Sequence, residues 1–145
     1  MKEMVAVLPV YVDGVGNVSR VLYGDGSEEV VPVRVSRIMD RLFYEHLLSR
    51  RAVEEYYGGF LGIKRNVPAV IAKDLVYVPV KVRKPRVRDD GAYGYVLYGA
   101  VAGQEESKVL LVDGRVIETL HSRRMLEKVL VRGHRVSVVR GREEA

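Results

Sequence analysis

The sequence of 145 residues contains no cysteine and no tryptophan. The missing cysteines exclude disulfide bonds, thiolate zinc sites, iron–sulfur clusters and a cysteine nucleophile. No apolar run approaches the ~18–20 residues that a membrane-spanning helix needs, so no such helix is predicted, and the leading hypothesis includes no membrane partner. The first residues combine one lysine with a short apolar run that Pro9 interrupts, which is unlike a signal peptide, and we expect a cytoplasmic protein.

Catalytic and metal-binding motifs are also missing. His46, His121 and His134 show neither HxH nor HExxH spacing, which argues against a metal site. There is no P-loop and no GxSxG motif, and the glycine pair at 14 and 16 lacks the last glycine of a dinucleotide fingerprint. The sequence therefore predicts no cofactor, no metal and no enzymatic activity. His46 lies on the inner face of a predicted helix, and we expect it to be a buried core histidine.

Basic residues are abundant and unevenly distributed. The chain has 24 Lys and Arg against 19 Asp and Glu, a net charge of +5, and seventeen of the 24 are arginine. The whole excess lies between residues 34 and 88, and residues 81–88 hold five bases and no acid. Because such dense like charges repel each other unless a partner neutralises them, we interpret 81–88 as an arm that presents bases to an anionic partner. Pro85 argues against a central strand there. An ordinary solvated surface is the alternative.

Hydrophobic periodicity predicts an α+β fold in a single domain over residues 1–145, with mostly antiparallel strands. Valine, which favours strands, occurs 29 times. The predicted strands are 4–12, 18–23, 29–33, 68–72, 75–82, 92–102, 108–112, 115–120 and 136–139.

Three helices are predicted among these strands. Residues 36–57 form a helical hairpin, with Ser36 and Ser49 as N-caps and the two glycines at 58 and 59 ending it. The last helix covers 123–132, between an N-cap at Ser122 and a C′ glycine at Gly133. Residues 141–145 are predicted to be a frayed tail.

Three basic groups make up a candidate nucleic-acid-binding surface: the arm, the helical hairpin with its exit loop, and the start of the last helix. Arg123 and Arg124 oppose the helix dipole, a cost that a bound phosphate would offset. One continuous basic face favours duplex DNA, whereas arginines paired with acids of the hairpin indicate an ordinary surface. The candidate residues are Arg37, Arg41, Arg50, Arg51, Lys64, Arg65, Lys81, Arg83, Lys84, Arg86, Arg88, Ser122, Arg123 and Arg124.

Several short motifs also follow one another in a characteristic order. They are MVAVLP at 4–9, YYGGFLGIKR at 56–65, PAVIA at 68–72, LVYVP at 75–79, the strand at 94–101, and VDG at 112–114 with Ser122 downstream. In this order, over residues 4–139, the chain resembles the ComK-type competence transcription factors of Gram-positive bacteria. Its C-terminal part, a DG hairpin followed by Ser-x-x-x-Leu-Glu-x-x-Leu, is also similar to LytTR-type DNA-binding domains.

The resemblance implies a transcription activator that works as an oligomer, here a homodimer, on double-stranded promoter DNA. It further implies a preference for A/T-rich sites through the minor groove. The basic positions that match the family are Lys64, Arg65 and the cap region around Ser122, whereas the arm is predicted from charge alone. The alternative function is a non-enzymatic basic module that binds RNA, an anionic membrane surface or an acidic protein.

Overall fold

The computed structural model describes residues 3–145 and has an α+β architecture with a large and a small antiparallel sheet. The strands are β1 Met4–Val12, β2 Gly16–Tyr23, β3 Glu28–Val31, β4 Ala69–Ala72, β5 Leu75–Lys81, β6 Tyr93–Leu97, β7 Val101–Glu105, β8 Lys108–Leu111 and β9 Val116–Glu118. The helices are α1 Val35–Glu45, α2 Arg50–Leu61 and α3 Arg123–Glu143, and short 3-10 turns cover Arg88–Asp90 and Tyr98–Ala100.

The large sheet has six strands in the order β3-β2-β1-β6-β5-β4. Val7 of β1 lies opposite both Val21 of β2 and Tyr95 of β6, and Tyr95 lies opposite Pro79 of β5. Every residue of β5 from position 76 to 80 is buried, so this strand is covered on both faces. A continuous apolar run, rather than strict alternation, is what such a strand requires.

The small sheet has the order β7-β8-β9 and shares the main hydrophobic core. Val109, Leu111 and Ile117 pack in one cluster with the central strands of the large sheet and with Met39 and Phe43 of α1.

Helix α3 packs against β4 and β5, and α2 packs against β4. A second apolar cluster, with Tyr57 of α2, Val70, Val76 and Val136 of α3, fills the space between them. The hydroxyl of Tyr57 donates to Glu143 at 2.5 Å and so fastens the end of α3 to α2. The outer face of α3 is left exposed by this arrangement.

The prediction for the C-terminus is wrong. Helix α3 does not end at Gly133 but continues to Glu143, so the strand predicted at 136–139 is helical, and so are residues 141–143 of the predicted tail 141–145. Gly133 is buried in the middle of the helix, where a Cβ would lie 2.5 Å from Cγ1 of Val78. The glycine permits a close approach of helix to sheet and does not terminate the helix.

Two further boundaries differ from the prediction. The strand predicted at 92–102 is two strands, because the 3-10 turn after Leu97 directs the chain from the large sheet into the small one. Helix α2 continues through Gly58, whose missing side chain makes room for the carbonyl of Ile63, and ends at Gly62 with φ +72°.

The predicted helix starts and the predicted core histidine have mixed outcomes. Ser49 and Ser122 are N-caps, as predicted, and accept hydrogen bonds from the backbone N–H groups three residues later. Helix α1 instead begins at Val35, so Ser36 is not its cap. His46 is exposed at the end of α1 and is not a core residue. Within residues 3–145, no helix is both long and apolar enough to cross a membrane.

Candidate nucleic-acid interface

The exposed arginines of the helical hairpin are paired with acids of their own helices. Arg41 contacts Glu45 at 3.0 Å in α1, and Arg51 contacts Glu55 at 3.1 Å in α2. Both pairs have i,i+4 spacing, which places the two charges on the same side of a helix. For these two arginines the structure matches the alternative of an ordinary charged surface.

Arg50 is a structural residue that joins three elements. Its guanidinium contacts Asp40 of α1 at 2.7 Å and Glu54 of α2 at 2.9 Å, and donates to the hydroxyl of Tyr95 in β6 at 3.1 Å. Burial opposes the charge, but the bonds to Asp40 and Glu54 outweigh it and raise the pKa of Arg50. Its donors are therefore committed within the protein.

The arm is not a free segment but folds back on the β1–β2 hairpin. Arg83 donates to Asn17 Oδ1 at 2.6 Å and to the carbonyls of Asp90 and Gly91 at 2.9 Å each. Its guanidinium also lies 4.1 Å from the centre of the Tyr11 ring. Burial lowers the pKa of Arg83. Arg83 therefore holds the arm in place and is not displayed to solvent.

Other bases of the arm remain exposed around this anchor. Arg86 lies over the Tyr11 ring at 4.2 Å, and its backbone N–H donates to the Tyr11 hydroxyl at 2.6 Å. The side chains of Lys84 and Arg88 are exposed and form no hydrogen bond or ion pair with the described part of the chain. Arg37, at the start of α1, is likewise exposed and unpaired among residues 3–145.

The arm begins beside the N-terminus of α3. The backbone N–H of Lys81 donates to Nε2 of His121 at 3.0 Å, and the carbonyl of Lys81 accepts from the N–H of Leu120 at 2.7 Å. Burial, together with the charge of Lys81, lowers the pKa of His121. A neutral imidazole can accept the Lys81 bond, so the histidine fixes the start of α3 next to the end of β5.

Helix α3 carries an exposed row of bases that the sequence analysis missed. Arg124, Lys128, Arg135 and Arg142 are spaced by four, seven and seven residues, which places them within about 40° of one line along the helix. We call these four residues the basic face of α3. The spacing is a sequence signal, but it was hidden because the helix was predicted to stop at residue 132.

The carboxylates of α3 do not neutralise this face. Glu127 pairs with Arg123 at 3.4 Å, and Glu143 accepts from Tyr56 and Tyr57. Just past the helix end, Glu144 pairs with Arg140 at 2.8 Å.

The bases of the face themselves lack acidic partners. The side chains of Arg124, Lys128 and Arg142 are exposed and form no hydrogen bond or ion pair with any residue from 3 to 145. Arg135 forms no ion pair within the described chain, and its guanidinium lies 5.0 Å from the centre of the Phe60 ring. The basic face therefore remains uncompensated.

The exit loop of α2 adds bases beside α3. Asn66 and Pro68 of this loop line one narrow cleft together with Met125, Val129 and Arg132 of α3. Lys64 and Arg65, which directly precede Asn66, are exposed and have no ion-pair partner in the described chain. Of the predicted residues, Arg124 therefore lies on α3 itself, and Lys64 and Arg65 lie in the loop whose next residues line the cleft beside α3. Arg41, Arg50, Arg51 and Arg83 have partners elsewhere.

The described residues give little indication of a ligand-binding cavity or a metal site. An open hollow of about 670 Å³ runs along α2, lined by Arg51, Glu55, Gly59 and Lys64 among others, so its walls carry both signs of charge. Among residues 3–145 no cluster of three or more His, Asp or Glu side chains could hold a metal ion.

No known protein family, curated protein or solved structure matches this chain.

Proposed function

We propose that the protein is a cytoplasmic transcriptional regulator of ComK type that binds double-stranded DNA through the basic face of α3. One observation carries the proposal: four exposed bases lie in a row along a 21-residue helix whose own carboxylates are engaged elsewhere. Unpaired cations in a row match the repeated phosphates of a nucleic-acid backbone.

The dimensions of the basic face suit a duplex. From Arg124 to Arg142 the helix rises about 27 Å, which spans several phosphates of each strand. Lys64 and Arg65 extend the surface sideways, giving about six phosphate contacts. Removing one base from such a set changes the slope of log K against log salt by about 0.9.

The arm supplies a second contact region in this proposal. It leaves the sheet at Lys81, next to the N-terminus of α3, and its exposed bases Lys84, Arg86 and Arg88 follow within seven residues. Arginine is drawn to narrow minor grooves of A/T-rich DNA, where the negative potential is strongest. We therefore expect a preference for A/T-rich duplexes.

A fluorescence-anisotropy titration tests DNA binding directly. A/T-rich and G/C-rich duplexes are titrated between about 50 and 200 mM salt, where about six contacts on α3 and the exit loop together with three on the arm predict a slope of about −8. Replacing Arg124 and Lys128 together by alanine should make the slope shallower by about two units. The matched control is the Arg41→Ala, Arg51→Ala double variant, which removes the same charge from paired positions and should leave the slope unchanged.

The outcomes separate this proposal from its competitors. If no duplex binds at low salt, the proposal is wrong, and binding to RNA, anionic vesicles or an acidic protein would identify the competing function. If both double variants flatten the slope equally, net charge rather than the basic face of α3 accounts for binding.

We further propose that the regulator is an activator, as the resemblance to ComK-type factors implies. We also propose that it acts as a homodimer, because one small domain contacts few base pairs. Sedimentation velocity with and without the A/T-rich duplex should give the mass of two chains on the DNA. A single chain per duplex over the whole concentration range contradicts the dimer.

A further inference from the structure

Tyr11, near the end of β1, contacts the arm at several points. The guanidinium groups of Arg83 and Arg86 lie 4.1 and 4.2 Å from the centre of its ring. Its hydroxyl accepts from the backbone N–H of Arg86 at 2.6 Å and donates to Oδ2 of Asp90 at 2.8 Å. One half-buried side chain therefore holds both the middle of the arm and the turn that follows it.

The two arginines that share this ring differ in what their donors do. Arg83 donates to Asn17 and to two backbone carbonyls, so its guanidinium is committed within the protein. The side chain of Arg86 is exposed and forms no hydrogen bond or ion pair with residues 3–145. The face of an aromatic ring attracts a cation, so Tyr11 restricts the direction of the Arg86 guanidinium without using its donors. Arg86 is thus oriented and still able to bind a ligand.

We propose that Tyr11 is the positioning residue that gives the arm its preference for A/T-rich DNA, an inference that rests on the proposed DNA binding. A long side chain that moves freely loses that freedom when it enters a narrow groove, and the lost entropy offsets the attraction. An arginine that is already held in one direction has less freedom to lose. More of the strong attraction in a narrow A/T minor groove is then retained as affinity.

The other exposed bases of the arm lack such an orienting contact. The side chains of Lys84 and Arg88 have no hydrogen bond, ion pair or ring contact within residues 3–145. We expect them to contact phosphates of any sequence and so to contribute to the salt slope but not to the preference. The preference for A/T therefore depends on Arg86 and on the tyrosine that orients it.

Two variants of Tyr11 test this role in anisotropy titrations of A/T-rich and G/C-rich duplexes. Tyr11→Leu removes the ring and the hydroxyl, and should weaken binding of the A/T-rich duplex about tenfold, from the cost of ordering one arginine side chain. Its affinity for the G/C-rich duplex and its salt slope should stay unchanged, because the charge of Arg86 is still present. Tyr11→Phe keeps the ring and should weaken binding of the A/T-rich duplex only about threefold, from the loss of the hydroxyl's hydrogen bonds.

Tyr44→Leu is the matched control. Tyr44 is 78% exposed in α1 and forms no hydrogen bond or ring contact with the part of the chain that the structure describes. This variant should bind both duplexes as the wild type does. Circular dichroism checks the folding of each variant, and if Tyr11→Leu does not fold, the threefold loss in Tyr11→Phe is the result that decides.

Three results would overturn the inference in distinguishable ways. If Tyr11→Leu keeps the A/T preference of the wild type, or weakens binding of both duplexes equally, Tyr11 supports only the fold of the arm. If the wild type binds both duplexes equally, there is no preference for Tyr11 to produce, although DNA binding itself stands. If the wild type binds no duplex, the proposed function is wrong and this inference is wrong with it.

Discussion

Replacing Gly133 by alanine should destabilise the protein even though alanine is the better helix former. Gly133 lies in the buried stripe of α3, against β5 and the turn after β6. An added Cβ would lie 2.5 Å from Cγ1 of Val78 and 2.9 Å from Cδ1 of Tyr98. Carbon atoms normally pack at about 3.5–4.0 Å, so the helix or both neighbours must move by about 1 Å.

The size of the effect follows from two opposing contributions. Overpacking of this kind costs about 3 kcal/mol at the upper end of the usual range. The change from glycine to alanine in a helix returns about 1 kcal/mol. We expect a net loss of about 2 kcal/mol in the free energy of unfolding, or about 5 °C in the melting temperature of a chain of this length.

Urea unfolding followed by circular dichroism measures this loss, and Gly141→Ala is the control. Gly141 lies in the same helix, but its Cβ would meet only Cβ of Lys73, at an ordinary 3.9 Å. This variant should be as stable as wild type or up to about 1 kcal/mol more stable. If Gly133→Ala is no less stable than Gly141→Ala, α3 does not approach β5 this closely, and the outward direction of its basic face loses its structural basis.

Three further changes test the contacts around α3 and the arm. Burial holds the pKa of His121 below that of the unfolded chain, so the contribution of neutral His121 to the free energy of unfolding is complete above about pH 6.5 and is lost as the pH falls. In denaturant titrations at several pH values, His121→Gln should make the free energy of unfolding depend less on pH. An unchanged pH dependence would contradict this prediction. Tyr57→Phe should cost about 1 kcal/mol, and Glu143→Ala, which also removes the bond from Tyr56, should cost at least as much. The two changes should be clearly non-additive in a double-mutant cycle, because both remove the Tyr57–Glu143 hydrogen bond; full additivity would exclude this contact. Arg83→Ala should lower the free energy of unfolding by about 1–2 kcal/mol, because it removes the hydrogen bonds that hold the arm. Arg86→Ala should leave the free energy of unfolding nearly unchanged and make the salt slope of DNA binding shallower by about one unit. The reverse pattern would show that Arg83 is the DNA contact.

Much of the fold is predictable from local signals in the sequence. Runs rich in valine predict the strands, and the Asp-Gly pair at 113–114 predicts the turn between β8 and β9. Ser49 and Ser122 predict two helix starts, because a serine side chain can accept the bond of an unpaired backbone N–H. These features depend on residues a few positions apart, and the α+β class follows from them.

The errors arise where a residue responds to a distant neighbour. In the sequence, Gly133 resembles the glycine that ends a helix. In the structure a side chain is excluded at position 133 because Val78, 55 positions earlier in the chain, lies too close. The turn after Leu97 moves the chain from the large sheet into the small one, and the partner strands of each half lie elsewhere in the chain. His46 has the spacing of a core position, yet the helix ends there and leaves it in solvent.

Because the last helix was predicted to end before Gly133, the row of bases along it was not predicted, and the net charge of the last third of the chain did not indicate it either. Helix α3 has seven bases and two acids, but residues 89–122 together with Glu144 carry seven acids and two bases, which cancel this excess in a count over the last third of the chain. The middle third, with the largest count, contains Arg41, Arg50 and Arg51, whose charges are matched by acids one helical turn away. Phosphates compete with such carboxylates, so an arginine that already has one gains little from DNA. The free energy of binding a polyanion depends on unpaired bases that share one face of the protein. Whether a base is paired is a property of the fold, and the net charge along the sequence does not contain it.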